Sequence, residues 1–137
     1  MIDELLEKYP NDIKVIIKNF PLNFHKEAMK AAKYSLAAHN QGKYKEMYHT
    51  IFENYTDLKD NEDLPLKYAR ELGLDINQFI KDAESTAIDS QIAMEMEELR
   101  NSGIERISVP KILVNGCEPA KRNFETLSKM IEKELNK

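Results

Sequence analysis

The stretch Ser108-Val109-Pro110-Lys111-Ile112-Leu113-Val114-Asn115-Gly116 separates two parts of the sequence whose apolar residues follow a helical period. Residues 109–114 are mostly aliphatic and β-branched, which is typical of a strand. The Asn-Gly pair that follows is a strong signal for a tight turn between two strands. A second short strand can begin at Cys117, so this stretch predicts a β-hairpin.

A second strand candidate, Ile13-Lys14-Val15-Ile16-Ile17-Lys18, lies near the N-terminus. It is short, nearly all apolar and flanked by turn-forming residues, which predicts a strand buried on both faces. The residues before it, 2–9, have helical spacing and stop at Pro10, whose ring clashes with a continuing helix. We therefore expect the end of a helix, followed by a buried strand.

Four helices are predicted between the strand candidates, over residues 24–40, 44–55, 63–72 and 75–99. In the second of them an apolar stripe predicts a core-facing surface; its members are Tyr44, Met47, Tyr48, Ile51, Phe52 and Tyr55. Asp75 and Gln78 resemble a capping box that starts one long helix. A fifth helix is predicted over residues 124–135 at the C-terminal end.

Composition excludes several classes of function. The chain has 137 residues with 24 acidic and 20 basic side chains, and a net charge of -4 disfavours general binding to nucleic acid or an anionic membrane. No apolar run approaches the roughly 20 residues that cross a bilayer. Cys117 is the only cysteine, so these residues contain neither an internal disulfide nor a Cys-x-x-Cys pair.

In their order and spacing, several strings resemble the DsbA-like branch of the thioredoxin fold, whose members are thiol–disulfide oxidoreductases. The strings are Lys8-Tyr9-Pro10-Asn11-Asp12-Ile13-Lys14-Val15, Lys18-Asn19-Phe20-Pro21-Leu22, Gln41-Gly42-Lys43-Tyr44-Lys45-Glu46-Met47-Tyr48, Ala69-Arg70-Glu71-Leu72-Gly73-Leu74-Asp75 and the stretch from Ser108 to Gly116. The resemblance implies an α/β fold: one thioredoxin-like domain over residues 1–137, with a helical insertion at about residues 24–101.

The same resemblance implies that a central strand and a Cys-x-x-Cys precede the segment that matches residues 2–9. This chain does not contain them, so we expect an N-terminally truncated central sheet and no dithiol activity. The vacant position would be filled by a strand from a second copy, by a partner polypeptide, or by closure of the remaining strands. The chain is then either an oxidoreductase-family fragment or a non-catalytic domain that captures a strand or assembles as a homodimer by strand exchange.

The resemblance also implies a polypeptide-binding site at Val109 and Pro110. In the family the corresponding bond before proline is cis, and the backbone of the preceding residue pairs with extended peptides. A proline that merely begins a strand with a trans bond is the structural alternative. Glutathione binding, as in the related kappa-class glutathione transferases, is a further alternative for function.

Cys117 and the histidines are the remaining candidates for chemistry. Cys117-Glu118-Pro119-Ala120-Lys121 resembles a Cys-x-Pro-Cys motif without its second cysteine, which suggests a monothiol site, although an incidental cysteine or an intermolecular crosslink is the simpler interpretation. His25, His39 and His49 lack the spacing of a zinc site, and the acidic run at Glu95, Glu97 and Glu98 is typical of a solvated helix face.

No cofactor and no metal are expected, because the sequence has neither a phosphate-binding loop nor a ligand cluster. The partners expected are polypeptides. Without a signal peptide the chain as written would be cytoplasmic, whereas an upstream signal segment would direct it to the periplasm or cell envelope.

Overall fold

Helical periodicity dominates the sequence, and it produces eight helices in the computed structural model, which describes residues 1–137. The helices are α1 (Ile2–Lys8), α2 (Lys26–Asn40), α3 (Tyr44–Glu53), α4 (Tyr55–Leu58), α5 (Leu64–Glu71), α6 (Ile76–Ala83), α7 (Thr86–Arg100) and α8 (Phe124–Leu135). The only β-type pairing is an isolated antiparallel bridge between Val114 and Cys117. None of the helices is long and apolar enough to span a bilayer.

The predicted α/β fold with a central sheet is therefore wrong, because the structure is all helical and contains no sheet. Residues 13–18 form no strand and are largely exposed, and residues 109–113 form no strand either. β-branched composition predicts a strand only when a neighbour completes its hydrogen bonds, and even two paired strands are marginal in water. Neither segment has such a neighbour in this structure.

The contacts divide the chain into two compact units. The helical unit comprises Lys18–Ile104, and the terminal unit comprises Met1–Ile17 together with Glu105–Lys137. The predicted helical insertion, residues 24–101, falls inside the helical unit.

The helical unit has the larger apolar core, which forms around α2. Small residues on this helix, including the fully buried Ala37 and Ala38, allow close approach of α3 and α6. Phe79 from α6 is also fully buried and stacks on Tyr34, with ring centroids 5.2 Å apart. Asn19, near the start of this unit, is bound to α7: Glu95 accepts hydrogen bonds from the backbone and side-chain nitrogens of Asn19 at 2.5 and 2.9 Å.

The long helix predicted over residues 75–99 is two helices, α6 and α7. Asp75 caps α6 as expected, accepting a hydrogen bond from the Gln78 backbone at 2.9 Å, but the Gln78 side chain bonds Asp82 instead of completing the box. Ser85 separates the helices: its hydroxyl accepts from the Ile88 backbone at 3.3 Å and donates to the carbonyl of Asp82 at 2.6 Å. A serine at this position is a favoured N-cap, and it starts α7.

The apolar stripe predicted to face the core does so only in part. Met47 is fully buried and Ile51 nearly so, but Phe52 and Tyr55 are each 60% exposed. Tyr55 lies beyond a break in the helix at Asn54, which ends α3 and precedes the single turn of α4. The stripe therefore turns away from the core at its C-terminal end.

Candidate functional site

The terminal unit brings both predicted strands to one small apolar core. This core consists of Leu5 and Tyr9 from the α1 region and Leu127 and Ile131 from α8, all buried. Ile13 of the first predicted strand packs against this core, as do Ile112 and Val114 of the second predicted strand. One or two side chains thus anchor each segment, while the rest of each segment lies outside the core.

We call residues 13–17 the first open segment. Beyond Ile13 its apolar side chains are not covered: Val15 is 36%, Ile16 67% and Ile17 42% exposed. No backbone group of this segment takes part in a backbone–backbone hydrogen bond. Consecutive β-branched residues with unpaired backbone resemble an edge strand, which is a template for pairing with another chain.

We call residues 109–113 the second open segment. The Val109-Pro110 peptide bond is cis, as the family resemblance implies. Val109 is partly buried, Pro110 is exposed, and Leu113 is 42% exposed. As in the first open segment, none of its backbone groups forms a backbone–backbone hydrogen bond.

Two charged residues that follow the second open segment in the sequence, Glu118 and Arg122, contact it. The sequence pattern did not predict this role for them. The Arg122 guanidinium donates a hydrogen bond to the carbonyl oxygen of Pro110. The Lys111 ammonium lies 2.6 Å from a carboxylate oxygen of Glu118, with only 9% of the Lys111 side chain exposed. Spacing along the sequence does not reveal these contacts, because the loop that brings the partners together follows no regular period.

Cys117 closes the turn after the second open segment. Its backbone N–H and C=O bond those of Val114 at 2.9 Å, and Asn115 and Gly116 between them have φ values of 47° and 83°. The Asn-Gly turn is thus confirmed, although a single bridge takes the place of a hairpin. Cys117 is exposed and lies well before α8, so it is not at a helix N-terminus.

One ion-pair cluster ties α1 to α8. Glu132 accepts hydrogen bonds from the Lys8 ammonium at 2.9 Å and from the Tyr9 hydroxyl at 2.7 Å. These donors hold the pKa of the Glu132 carboxyl below its usual value. Because Lys8 and Glu132 lie on the surface, their ion pair orients the two helices more than it stabilises the fold.

The histidines and the acidic run all belong to the helical unit. His25 precedes α2, His39 is in the last turn of α2 and His49 is in α3. No group of three His, Cys, Asp or Glu side chains is arranged to hold a metal ion. Glu95 is occupied by Asn19, which gives this member of the acidic run a structural role.

A comparison with known families matches residues 1–133 to the family described as Thioredoxin. The chain belongs to the thioredoxin family. The match covers both open segments and all but the last residues of α8, and it is consistent with the DsbA-like motifs without distinguishing that branch.

The similar curated proteins are much longer than this chain. It is 31% identical over 118 residues to Na(+)/H(+) antiporter NhaA 1 of Mycolicibacterium vanbaalenii, which is 84% of this chain and 18% of that protein. It is 30% identical to Na(+)/H(+) antiporter NhaA 1 of Mycolicibacterium gilvum, over 84% of this chain and 18% of that protein. It is also 30% identical to Na(+)/H(+) antiporter NhaA of Herminiimonas arsenicoxydans, over 83% of this chain and 17% of that protein. The chain thus spans less than a fifth of these relatives. No solved structure matches it significantly.

Proposed function

We propose that this chain is a polypeptide-binding domain of the DsbA-like branch, and that it binds an extended segment of another polypeptide without carrying out dithiol exchange. The observation that carries the proposal is the first open segment, where Val15, Ile16 and Ile17 are exposed and the backbone is unpaired. The antiporter activity named for the relatives is not proposed, since the chain corresponds to less than a fifth of their length.

The chemistry of the first open segment suits β-augmentation. An incoming peptide that lies alongside it gains main-chain hydrogen bonds, each with a net value of about 0.5 to 1.5 kcal/mol. Alternate side chains of a strand point to opposite faces, so Val15 and Ile17 would pack on one face and Ile16 on the other. Apolar residues at alternate positions of the peptide would cover them.

The second open segment supports the same proposal from the family side. Val109 precedes Pro110, and in the resembling proteins the backbone at that position pairs with peptide substrates. Both open segments are anchored on one core, through Ile13 in the first and Ile112 in the second. A bound peptide would pair with the backbone of Val109, beside Pro110, and would also lie along the first open segment.

We expect no dithiol exchange because this chain contains a single cysteine. Exchange proceeds through attack of a thiolate and release by a neighbouring thiol. Cys117 is a single exposed cysteine, so no second thiol of this chain can resolve a mixed disulfide. We expect no turnover in an insulin-reduction assay, and robust turnover by this chain would contradict the proposal.

The binding test uses a fluorescent unfolded polypeptide that lacks cysteine, with anisotropy as the readout. Ile16→Glu places a charge on the first open segment and should weaken binding at least tenfold; because Ile16 is 67% exposed, the fold should survive. Val15→Pro removes one backbone donor and should have a similar effect. Phe52→Glu is the matched control, since Phe52 is 60% exposed but lies in the helical unit.

Equal loss of binding in Ile16→Glu and Phe52→Glu would refute the assignment of the first open segment. Failure of the unaltered chain to bind any extended polypeptide at micromolar concentrations would refute the proposal as a whole. Circular dichroism of each variant verifies that the helices are retained.

A homodimer formed by strand exchange is the second candidate, because the first open segment of one copy can pair with that of another. In this case light scattering after size exclusion would give the mass of a dimer, and Ile16→Glu would convert it to the monomer. A monomer in the unaltered chain at high micromolar concentration would eliminate this candidate and leave peptide binding.

A further inference from the structure

A groove in the helical unit is separate from both open segments. It lies between α2 and α6 and has a volume of about 280 Å³. Its apolar lining comes from Met29 and Tyr34 of α2 and from Ile80 and Ala83 of α6. Tyr34 and Ala83 are themselves buried, whereas Met29 is 39% exposed, so the groove opens to solvent over an apolar floor.

Three cations border this floor along one side. Lys26, Lys30 and Lys33 occupy neighbouring positions on one face of α2, and all three line the groove. The Lys30 ammonium lies 2.5 Å from Asp63, and the Lys33 ammonium lies 2.6 Å from Asp89. Surface pairs of this kind contribute little and exchange readily.

Lys26 differs from the other two lysines because no carboxylate lies within ion-pairing distance of it. It is exposed at the first position of α2, next to the mouth of the groove. Glu84, just after α6, supplies the one carboxylate among the lining residues. The groove therefore has a cationic side on α2 and an anionic residue beyond α6.

We propose that this groove binds a small aliphatic carboxylate, with the acyl chain on Met29, Tyr34 and Ile80 and the carboxylate beside Lys26. The volume accommodates about nine non-hydrogen atoms at roughly 30 Å³ each, the size of a short fatty acid. Glu84 repels a carboxylate, so it orients the ligand with its charged end toward α2. This site is independent of polypeptide binding by the terminal unit.

The test is a titration of isotopically labelled protein with sodium hexanoate, followed by backbone amide chemical shifts. We expect saturable shifts confined to α2 and α6. The dissociation constant should lie in the millimolar range, because the groove is shallow. 1-Hexanol has the same chain without the charge, and acetate has the charge without the chain. Each should bind at least fivefold more weakly than hexanoate.

Lys26→Gln should weaken hexanoate binding roughly fivefold and leave hexanol binding unchanged. Lys59→Gln is the matched control: Lys59 is an exposed lysine of the helical unit that does not line the groove, and its loss should change neither affinity. Ile80→Asn, which makes the floor polar, should weaken both ligands.

Three results would overturn the proposal. Hexanol binding as tight as hexanoate binding would show that the charge is not recognised. An equal effect of Lys26→Gln and Lys59→Gln would show a general charge effect. Shifts that fail to saturate, or that spread over the whole helical unit, would show that no site exists.

Discussion

The helical unit and the terminal unit are both rich in apolar residues, but they bury them to different extents. In the helical unit apolar side chains from all six helices, α2 to α7, share one core. In the terminal unit only Leu5, Tyr9, Leu127 and Ile131 are buried in the core, and two apolar segments leave it without forming a sheet. The difference shows that a local helical pattern is sufficient for burial in one unit, whereas the β-prone segments of the other stay partly uncovered.

The largest effect should come from the centre of the helical core. Phe79→Ala removes a fully buried ring that stacks on Tyr34, and we expect a loss of about 3 to 5 kcal/mol in the free energy of unfolding. Urea denaturation followed by circular dichroism measures it. Phe52→Ala, at a 60% exposed position, should cost less than about 1 kcal/mol. Equal losses in the two variants would mean that Phe79 is not at the centre of the core.

The terminal core should be less sensitive to the same type of change. Leu127 is 1% exposed, and Leu127→Ala should destabilise the terminal unit by about 2 to 3 kcal/mol, because a small core can relax around the lost volume. Hydrogen exchange of the α8 amides reports this value. The control on the same helix is Leu135→Ala: Leu135 is 49% exposed, and a change above about 0.5 kcal/mol there would contradict its exposure.

The two units also differ in their buried serines. Ser35 of the helical unit donates to the carbonyl of Ala31 at 2.9 Å, whereas the buried Ser128 hydroxyl of the terminal unit has no hydrogen-bond partner. An unsatisfied hydroxyl costs free energy, so Ser128→Ala should be about 1 kcal/mol more favourable than Ser35→Ala. Thermal unfolding of the two variants decides this, and the reverse order would indicate that Ser128 is satisfied.

Alkaline pH should weaken the helical unit through Tyr44. Burial, with smaller contributions from Tyr48 and Glu95, raises the pKa of Tyr44 to about 12. An unfolded chain ionises near pH 10 and the folded chain does not, so the contribution of Tyr44 to stability is lost as pH rises from 10 to 12. Phenolate absorbance should show a tyrosine that titrates near pH 12 and that Tyr44→Phe removes. Titration of Tyr44 near pH 10 in the folded chain would contradict its burial.

Sequence patterns predicted most helices because their signals are local. Gly73 after α5 and the apolar spacing from Phe124 in α8 each act over one or two turns, and the structure follows them. The break between α6 and α7 was missed, although Ser85 is a recognisable N-cap, because apolar residues continue in period across it. Exposure of Tyr55 was missed because it depends on where α3 ends.

Residues 13–18 could not be predicted from their composition alone. Their apolar β-branched residues favour a strand, but pairing is a long-range property that depends on another segment. At the candidate site, Val109 and Pro110 came from family resemblance, and the cis bond agrees with it. The contacts of Arg122 and Lys111 with this region needed the folded loop.

Backbone hydrogen exchange across the first open segment measures whether its backbone is free to pair. In the free monomer, amides of residues 14–17 should exchange at nearly the rate of an unfolded chain, while the inner amides of α2 and α8 are protected. A bound extended polypeptide should slow exchange in residues 14–17. Strong protection of these amides in the free monomer would contradict the account, because it would mean that their backbone is already paired.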